Sequence, residues 1–140
     1  MCNNENNSSN CIADILNVIN ILQQNASCGE NCLDTCDRGF LGCNIQTIGC
    51  NTRPVMLYTN NNTAWSMPTT KDVSETTTYS TVFRVEKIDG NCCTFRVLDN
   101  NPDETEQATI PYISTNSFFT MNLNCVCCIK CLNDTYIECI

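Results

Sequence analysis

The residue with most chemistry to offer in this chain is cysteine, which occurs 14 times in 140 residues, while histidine does not occur at all. Four thiols fall within seven positions, Cys125, Cys127, Cys128 and Cys131, in the stretch Asn124-Cys125-Val126-Cys127-Cys128-Ile129-Lys130-Cys131-Leu132. Thiols at that density can cross-link subunits, staple a small fold or hold a metal, and the choice depends on redox compartment. In an extended segment Cys125 and Cys127 share one face and Cys128 takes the other, so one strand could be tied in two directions. Cys128-x2-Cys131 is compatible with a zinc knuckle, but Cys125-x-Cys127 is tight, and without histidine only all-Cys or carboxylate-containing sites remain. A second group, Cys28, Cys32, Cys36, Cys43 and Cys50, is threaded with Gly29, Gly39, Gly42 and Gly49 and contains no CxxC pair. It reads as disulfides or free thiols in a turn-rich loop. With Cys2, Cys11, Cys92, Cys93 and Cys139, all are candidates for disulfides or cross-links; the even count permits complete pairing without fixing connectivity.

Other chemistry is poorly provided for. General acid–base work lacks its commonest group, Cys–His nucleophile pairs are excluded, and no Gly-rich phosphate loop, G-x-S-x-G elbow or Walker motif occurs. The carboxylates are scattered or bunched in turns such as Asp103-Glu104-Thr105-Glu106. Cys128-Ile129-Lys130-Cys131 has the letters of a redox motif but sits near a chain end in a strand-like segment rather than opening a helix. The expectation is a non-enzyme with no catalytic residue, cofactor or resident metal. Seven basic against 15 acidic residues give a net charge of −8, with no basic cluster to meet phosphates. Nucleic acid and anionic membrane are therefore set aside as partners. Polarity comes instead from 21 Asn and 17 Thr, an uncharged hydrogen-bonding surface suited to close packing between proteins.

No apolar run is long enough to span a bilayer, and residues 1–10 have neither the basic nor the apolar region of a signal peptide. Disulfide-level cysteine usage without an export signal is a contradiction. It is resolved by thiols holding metal in a reducing cytosol, by a cleaved leader, or by a protein made reduced and oxidised when its cell lyses.

The elements that would position the thiols follow in chain order. Residues 1–10 read as a disordered polar arm. Its Cys2, nine residues before Cys11, could reach about 30 Å at 3.3–3.6 Å per residue. Asn10 or Ser9 can cap an amphipathic helix over 11–24, in which Ile12, Ile15, Leu16, Ile19 and Leu22 follow helical spacing and Val18 and Ile21 widen the apolar face. Burial on two sides is then possible, which makes Ile12, Ile15, Val18, Ile19, Ile21 and Leu22 candidates for an assembly interface. After the loop at 25–50, residues 51–140 read as short strands separated by turns. Between the strands at 83–86 and 95–98, a three-residue loop at Asp89-Gly90-Asn91 with positive φ at Gly90 or Asn91 sets Phe83 opposite Val97 and Val85 opposite Phe95. Phe119, Met121, Leu123, Cys125 and Cys127 alternate with polar partners and Val126, so the late strand is expected to run straight into the cysteine strip. The fold class is mainly β: an antiparallel sandwich or barrel-like domain preceded by one N-terminal amphipathic helix, with residues 11–140 as a single domain.

Three segments in this order carry a resemblance: Asn51-Thr52-Arg53-Pro54 with the apolar run to Thr59, Phe83-Arg84-Val85-Glu86 paired with Phe95-Arg96-Val97-Leu98, and Cys125-x-Cys127-x-Ile129-x-Cys131-Leu132. Together they resemble the CotY/CotZ/ExsY family of cysteine-rich spore coat and exosporium proteins, from the N-terminal helix to about residue 136. The resemblance implies a structural protein of the endospore surface, outer coat or exosporium, that self-assembles into hexamer-like rings in a two-dimensional lattice hardened by disulfides. Its partners would be copies of itself and related coat proteins. It would be made without a leader in the mother-cell cytoplasm and oxidised after lysis, which removes the compartment contradiction. The alternatives are a disulfide-linked spore appendage fibre subunit and an intracellular all-Cys zinc-binding module.

Overall fold

The computed structural model describes residues 10–24, 50–105, 107, 110–138 and 140. The arm up to residue 9, the loop at 25–49 with Cys28, Cys32, Cys36 and Cys43, and Cys139 lie outside the described residues. One helix, α1 (Cys11–Gln24), precedes seven strands: β1 (Val55–Tyr58), β2 (Met67–Pro68), β3 (Tyr79–Ser80), β4 (Val82–Asp89), β5 (Cys92–Asn100), β6 (Tyr112–Asn122) and β7 (Cys128–Cys131). Five form an antiparallel sheet in the order β6-β5-β4-β1-β7, and β2 pairs with β3 in a small second sheet. The mainly β class with a single N-terminal helix is as the sequence implies.

The helix begins where its cap predicts. Asn10 Oδ1 accepts hydrogen bonds from the backbone N–H of Ile12 at 2.9 Å and of Ala13 at 3.3 Å, satisfying donors that the first turn leaves open. Its buried stripe, Ile12, Leu16 and Ile19, packs on Val55, Leu57, Phe83, Val85, Phe95 and Val97 in one core. At the centre Phe119 meets Phe83 edge-on at 4.8 Å and stacks with Phe95 at 5.3 Å, geometries that aromatic quadrupoles favour.

The register is the expected one, Phe83↔Val97 and Val85↔Phe95, but it is reached differently. Asp89 pairs with Cys92, so the loop has two residues, Gly90 and Asn91, of which only Gly90 has positive φ, +59°. A bulge between Val85 and Lys87 supplies the extra residue. It also flips the alternation, so that Ile88 joins Phe83 and Val85 against the core.

One further expectation is corrected. β6 begins directly after Pro111 and extends for 11 residues, Tyr112–Asn122. It does not continue into the cysteine strip. It ends at Asn122, a 3-10 turn over Leu123–Cys125 follows, and β7 then pairs with β1 at the opposite edge of the sheet. The Leu123 N–H makes a last bond across to Asn91 O at 2.7 Å, and Asn122 Oδ1 then accepts from the Asn124 N–H at 3.0 Å, which caps the turn. The C-terminal tail links the two halves of the sheet: Ser114 Oγ of β6 donates to Glu138 O, and Thr135 bridges to Thr52 beside β1.

Where β1 and β4 part company after the pair Val55↔Phe83, a helix side chain fills the gap. Gln23 donates from Nε2 to Val85 O at 2.8 Å and accepts at Oε1 from the Arg53 N–H at 3.0 Å, acting as a spare peptide group between the strands. Its burial satisfies two backbone groups that would otherwise each cost about 1–3 kcal/mol.

Candidate functional site: a pole of exposed thiols

Two of the three segments that carry the family resemblance, at 51–59 and at 83–86 with 95–98, build a polar scaffold with the C-terminal tail. Arg53 is fixed by Asp134 through paired bonds, Nε–Oδ1 at 2.8 Å and Nη2–Oδ2 at 3.1 Å, with both side chains nearly buried. Asn51 ties down the tail beyond it, donating from Nδ2 to Ile137 O and accepting at Oδ1 from the Ile137 N–H. Arg84 and Arg96 lie directly opposite each other on β4 and β5, an arrangement that repels by itself. Glu86 resolves it, Oε2 accepting from Arg84 Nη1 at 2.8 Å and from Arg96 Nε at 3.0 Å. The bulge places that carboxylate. Arg84 is further held by Thr52 Oγ1 and Asn51 O, and Arg96 lies 4.5 Å over the Phe118 ring. Burial lowers the Arg84 pKa from its ordinary value; the Glu86 bond and charge oppose this and Arg96 adds to it.

Among the described residues three cations, Arg53, Arg84 and Arg96, are thus engaged by carboxylates within the fold.

The thiols collect around the turn that ends β6. Cys125 belongs to the 3-10 turn, Cys92 follows the hairpin and pairs across the ladder with Asn122, and Cys11 adjoins Asn10, whose Nδ2 donates to Leu123 O at 3.2 Å. Beyond the turn, Cys127 donates its backbone N–H to Tyr58 O and Cys128 pairs with Tyr58. Cys11, Cys92, Cys125, Cys127 and Cys128 are exposed, and Cys11, Cys92, Cys125 and Cys128 are unbonded thiols in the subunit. One pole of the molecule therefore carries a rim of reactive groups. Because the turn interrupts the strand, these positions are not set by a simple alternation through residues 119–127.

The remaining described cysteines face inward. Cys50 and Cys131 are disulfide-bonded within the subunit, and Cys93 is fully buried in the core. Cys128 and Cys131 stand on opposite faces of β7, the first exposed and the second packed against the core, so this CxxC pair does not converge on one point. Among the described residues no three Cys, Asp or Glu are placed to hold a metal ion.

Burial pushes the Cys93 thiol up to about 12. Iodoacetamide applied at about pH 8 should label Cys11, Cys92, Cys125 and Cys128 and spare Cys93 until the chain unfolds, because the thiolate is the reactive form. Peptide mapping after timed quenching checks this. The folded state holds the Cys93 proton to about pH 12, whereas an unfolded thiol releases it near 9.0. Its contribution to stability is complete below the lower value and declines as pH rises toward the upper one.

The six helical interface candidates divide. Ile12 and Ile19 are buried in the subunit's own core, and Ile15 and Leu22 are partly covered. Val18 and Ile21 remain 37% and 50% exposed. Sequence reading missed Gln23 and Glu86: an amide bridging two strands and a carboxylate placed by a bulge leave no periodic signal.

A family model described as Spore coat protein Z matches residues 1–134. The chain belongs to that family. No curated protein and no solved structure matches it. Membership supports a structural role in the spore coat, with a place at the spore surface, and speaks for a protein that is not an enzyme. Among the described residues no helix is long and apolar enough to cross a membrane. What the family resemblance rests on here is largely architecture: the Asn-Thr-Arg-Pro segment seats the C-terminal tail, and the two Phe-Arg-Val strands supply both the aromatic core and the guanidinium pair that Glu86 bridges.

Proposed function

We propose that this chain is a shell subunit of the endospore surface that self-assembles, in hexameric rings, into an ordered two-dimensional lattice with copies of itself and related coat proteins. The thiol pole then locks that lattice through intermolecular disulfides once mother-cell lysis exposes it to oxidant. The observation that carries this reading is that the exposed thiols of Cys11, Cys92, Cys125 and Cys128 are left unbonded within the subunit while Cys50 and Cys131 are each in a disulfide. Each link joins two thiolates with loss of two electrons to an oxidant such as dioxygen. The noncovalent step draws on a surface low in charge and on apolar side chains that the fold leaves exposed, Val18, Ile21, Ile113 and Phe118.

Electron microscopy of assemblies under mild reductant tests the order of events. Arrays should stay visible and lose resistance to heat and detergent, because each disulfide contributes about 2–4 kcal/mol on top of contacts already made. Arrays that dissolve at room temperature would make the disulfides the cause of assembly. The same images distinguish a lattice from a fibre, since closed interfaces give rings and propagating ones give filaments. Stoichiometric zinc with free thiols, measured by intact mass and metal content, would replace this reading with the metal-binding one.

A further inference from the structure

A groove of about 550 Å³ opens between the loop that follows β1 and the end of β6, within the range of roughly 300–1,000 Å³ usual for small-molecule sites. Asn60 and Asn61 line one wall, Thr120 and Asn122 line the other, and Trp65 and Met121 supply apolar surface between them. No lining residue is charged. Two features fix the loop that forms this wall. Trp65 is the chain's one tryptophan, and it is left 36% exposed although its backbone is pinned by an N–H bond to Leu57 O at 2.8 Å. Asn62 adopts φ +62°, a left-handed conformation uncommon outside glycine, as its N–H closes the turn onto Thr59 O.

We infer that this groove binds a neutral saccharide, with one pyranose ring stacked on Trp65 and its hydroxyls hydrogen-bonded by Asn60, Asn61, Asn122 and Thr120. Sugar hydroxyls donate and accept at once, and carboxamides and threonine hydroxyls are the side chains that do the same without charge. The ring's C–H face is apolar and seats on an indole, whose own face is electron-rich. A phosphate or carboxylate ligand would find no cation in the lining, so nucleotides and acidic glycans are disfavoured. Cys125 at the groove's edge adds a thiol that a bound sugar would shield.

The single tryptophan provides the readout. The full chain, kept reduced and carrying Cys125→Ser so that thiol chemistry does not intrude, is titrated with the methyl glycosides of glucose, galactose, mannose, rhamnose and N-acetylglucosamine, with glucose 6-phosphate as the charged control. At least one neutral glycoside should give a saturable change in Trp65 emission with a millimolar Kd, and the phosphate none. Asn60→Ala with Asn61→Ala should weaken it by about tenfold, two hydrogen bonds' worth. Trp65→Ala should abolish line broadening in the glycoside's own NMR signals, a readout independent of the indole. No response to any neutral glycoside, or a response that survives the asparagine and tryptophan changes, overturns the inference. So does an emission shift that follows protein concentration without sugar, which would assign the groove to a second copy of the chain.

Discussion

Replacing Glu86 with alanine should lower the folding stability of the subunit by about 3 kcal/mol, the scale for breaking a largely desolvated ion pair by removing one partner. Arg84 and Arg96 are directly paired across β4 and β5, and among the described residues the one charge that both touch is Glu86 Oε2. Without it, two guanidinium groups face each other on a nearly buried surface. Arg84 keeps Thr52 Oγ1 and Asn51 O as neutral acceptors and Arg96 keeps Thr115 O, so hydrogen bonding survives in part while the repulsion does not relax. Glu86→Gln, which keeps an acceptor but not the charge, should fall between wild type and alanine. Arg84→Met in the Glu86→Ala background should recover part of the loss, because it removes the like-charge contact. Urea unfolding of the reduced subunit measures all three. Equal stability of wild type and Glu86→Ala would mean that solvent already screens the two arginines from each other.

Much of this architecture was legible in the sequence, and the boundary of legibility has a physical cause. Helix α1 could be read because its cap and its buried stripe are local and periodic: Asn10 holds the first turn, and Ile12, Leu16 and Ile19 recur on one face. The β4–β5 register could be read because one alignment alone gathers Phe83, Val85, Phe95 and Val97 on one side. The bulge at Glu86 could not, since it changes which residues pair without disturbing the apolar set that betrays a register. The end of β6 was hidden for a related reason. Apolar residues alternate through Leu123, Cys125 and Cys127 as in a strand, but the side chain of Asn122 bonds the backbone of Asn124 and caps a turn. The thiol pole inherits that turn. Sequence density brought Cys125, Cys127, Cys128 and Cys131 together, and the fold then separated Cys131 from them and added Cys11 and Cys92 from elsewhere in the chain.

Serine at Cys11, Cys92, Cys125 and Cys128 together should strip the high-mass, reductant-sensitive species from non-reducing gels of assembled protein while leaving arrays visible by microscopy. Each of these thiols is exposed and unbonded in the subunit, so each change should alter folding stability by no more than about 0.5 kcal/mol. Cys50→Ser or Cys131→Ser should do the opposite, costing about 2–4 kcal/mol through loss of a closed loop while leaving the ladder in place. This contrast separates thiols that lock subunits together from thiols that hold one subunit's shape. Cys2 lies outside the described residues, but its arm starts at Asn10, which is tied to Leu123 O and Asn124 Oδ1 in the turn that carries Cys125. Asn10 itself is therefore fixed at the thiol pole, and chain length sets an upper bound of about 30 Å on the distance from there to Cys2. Added to the quadruple variant, Cys2→Ser should remove any residual dimer and trimer bands, since tethering through the arm raises the effective concentration of weakly contacting subunits. A ladder that survives both sets of changes, with Cys2 mapped to a bridge inside its own chain, would move the cross-links away from this pole and leave the arm as a tail.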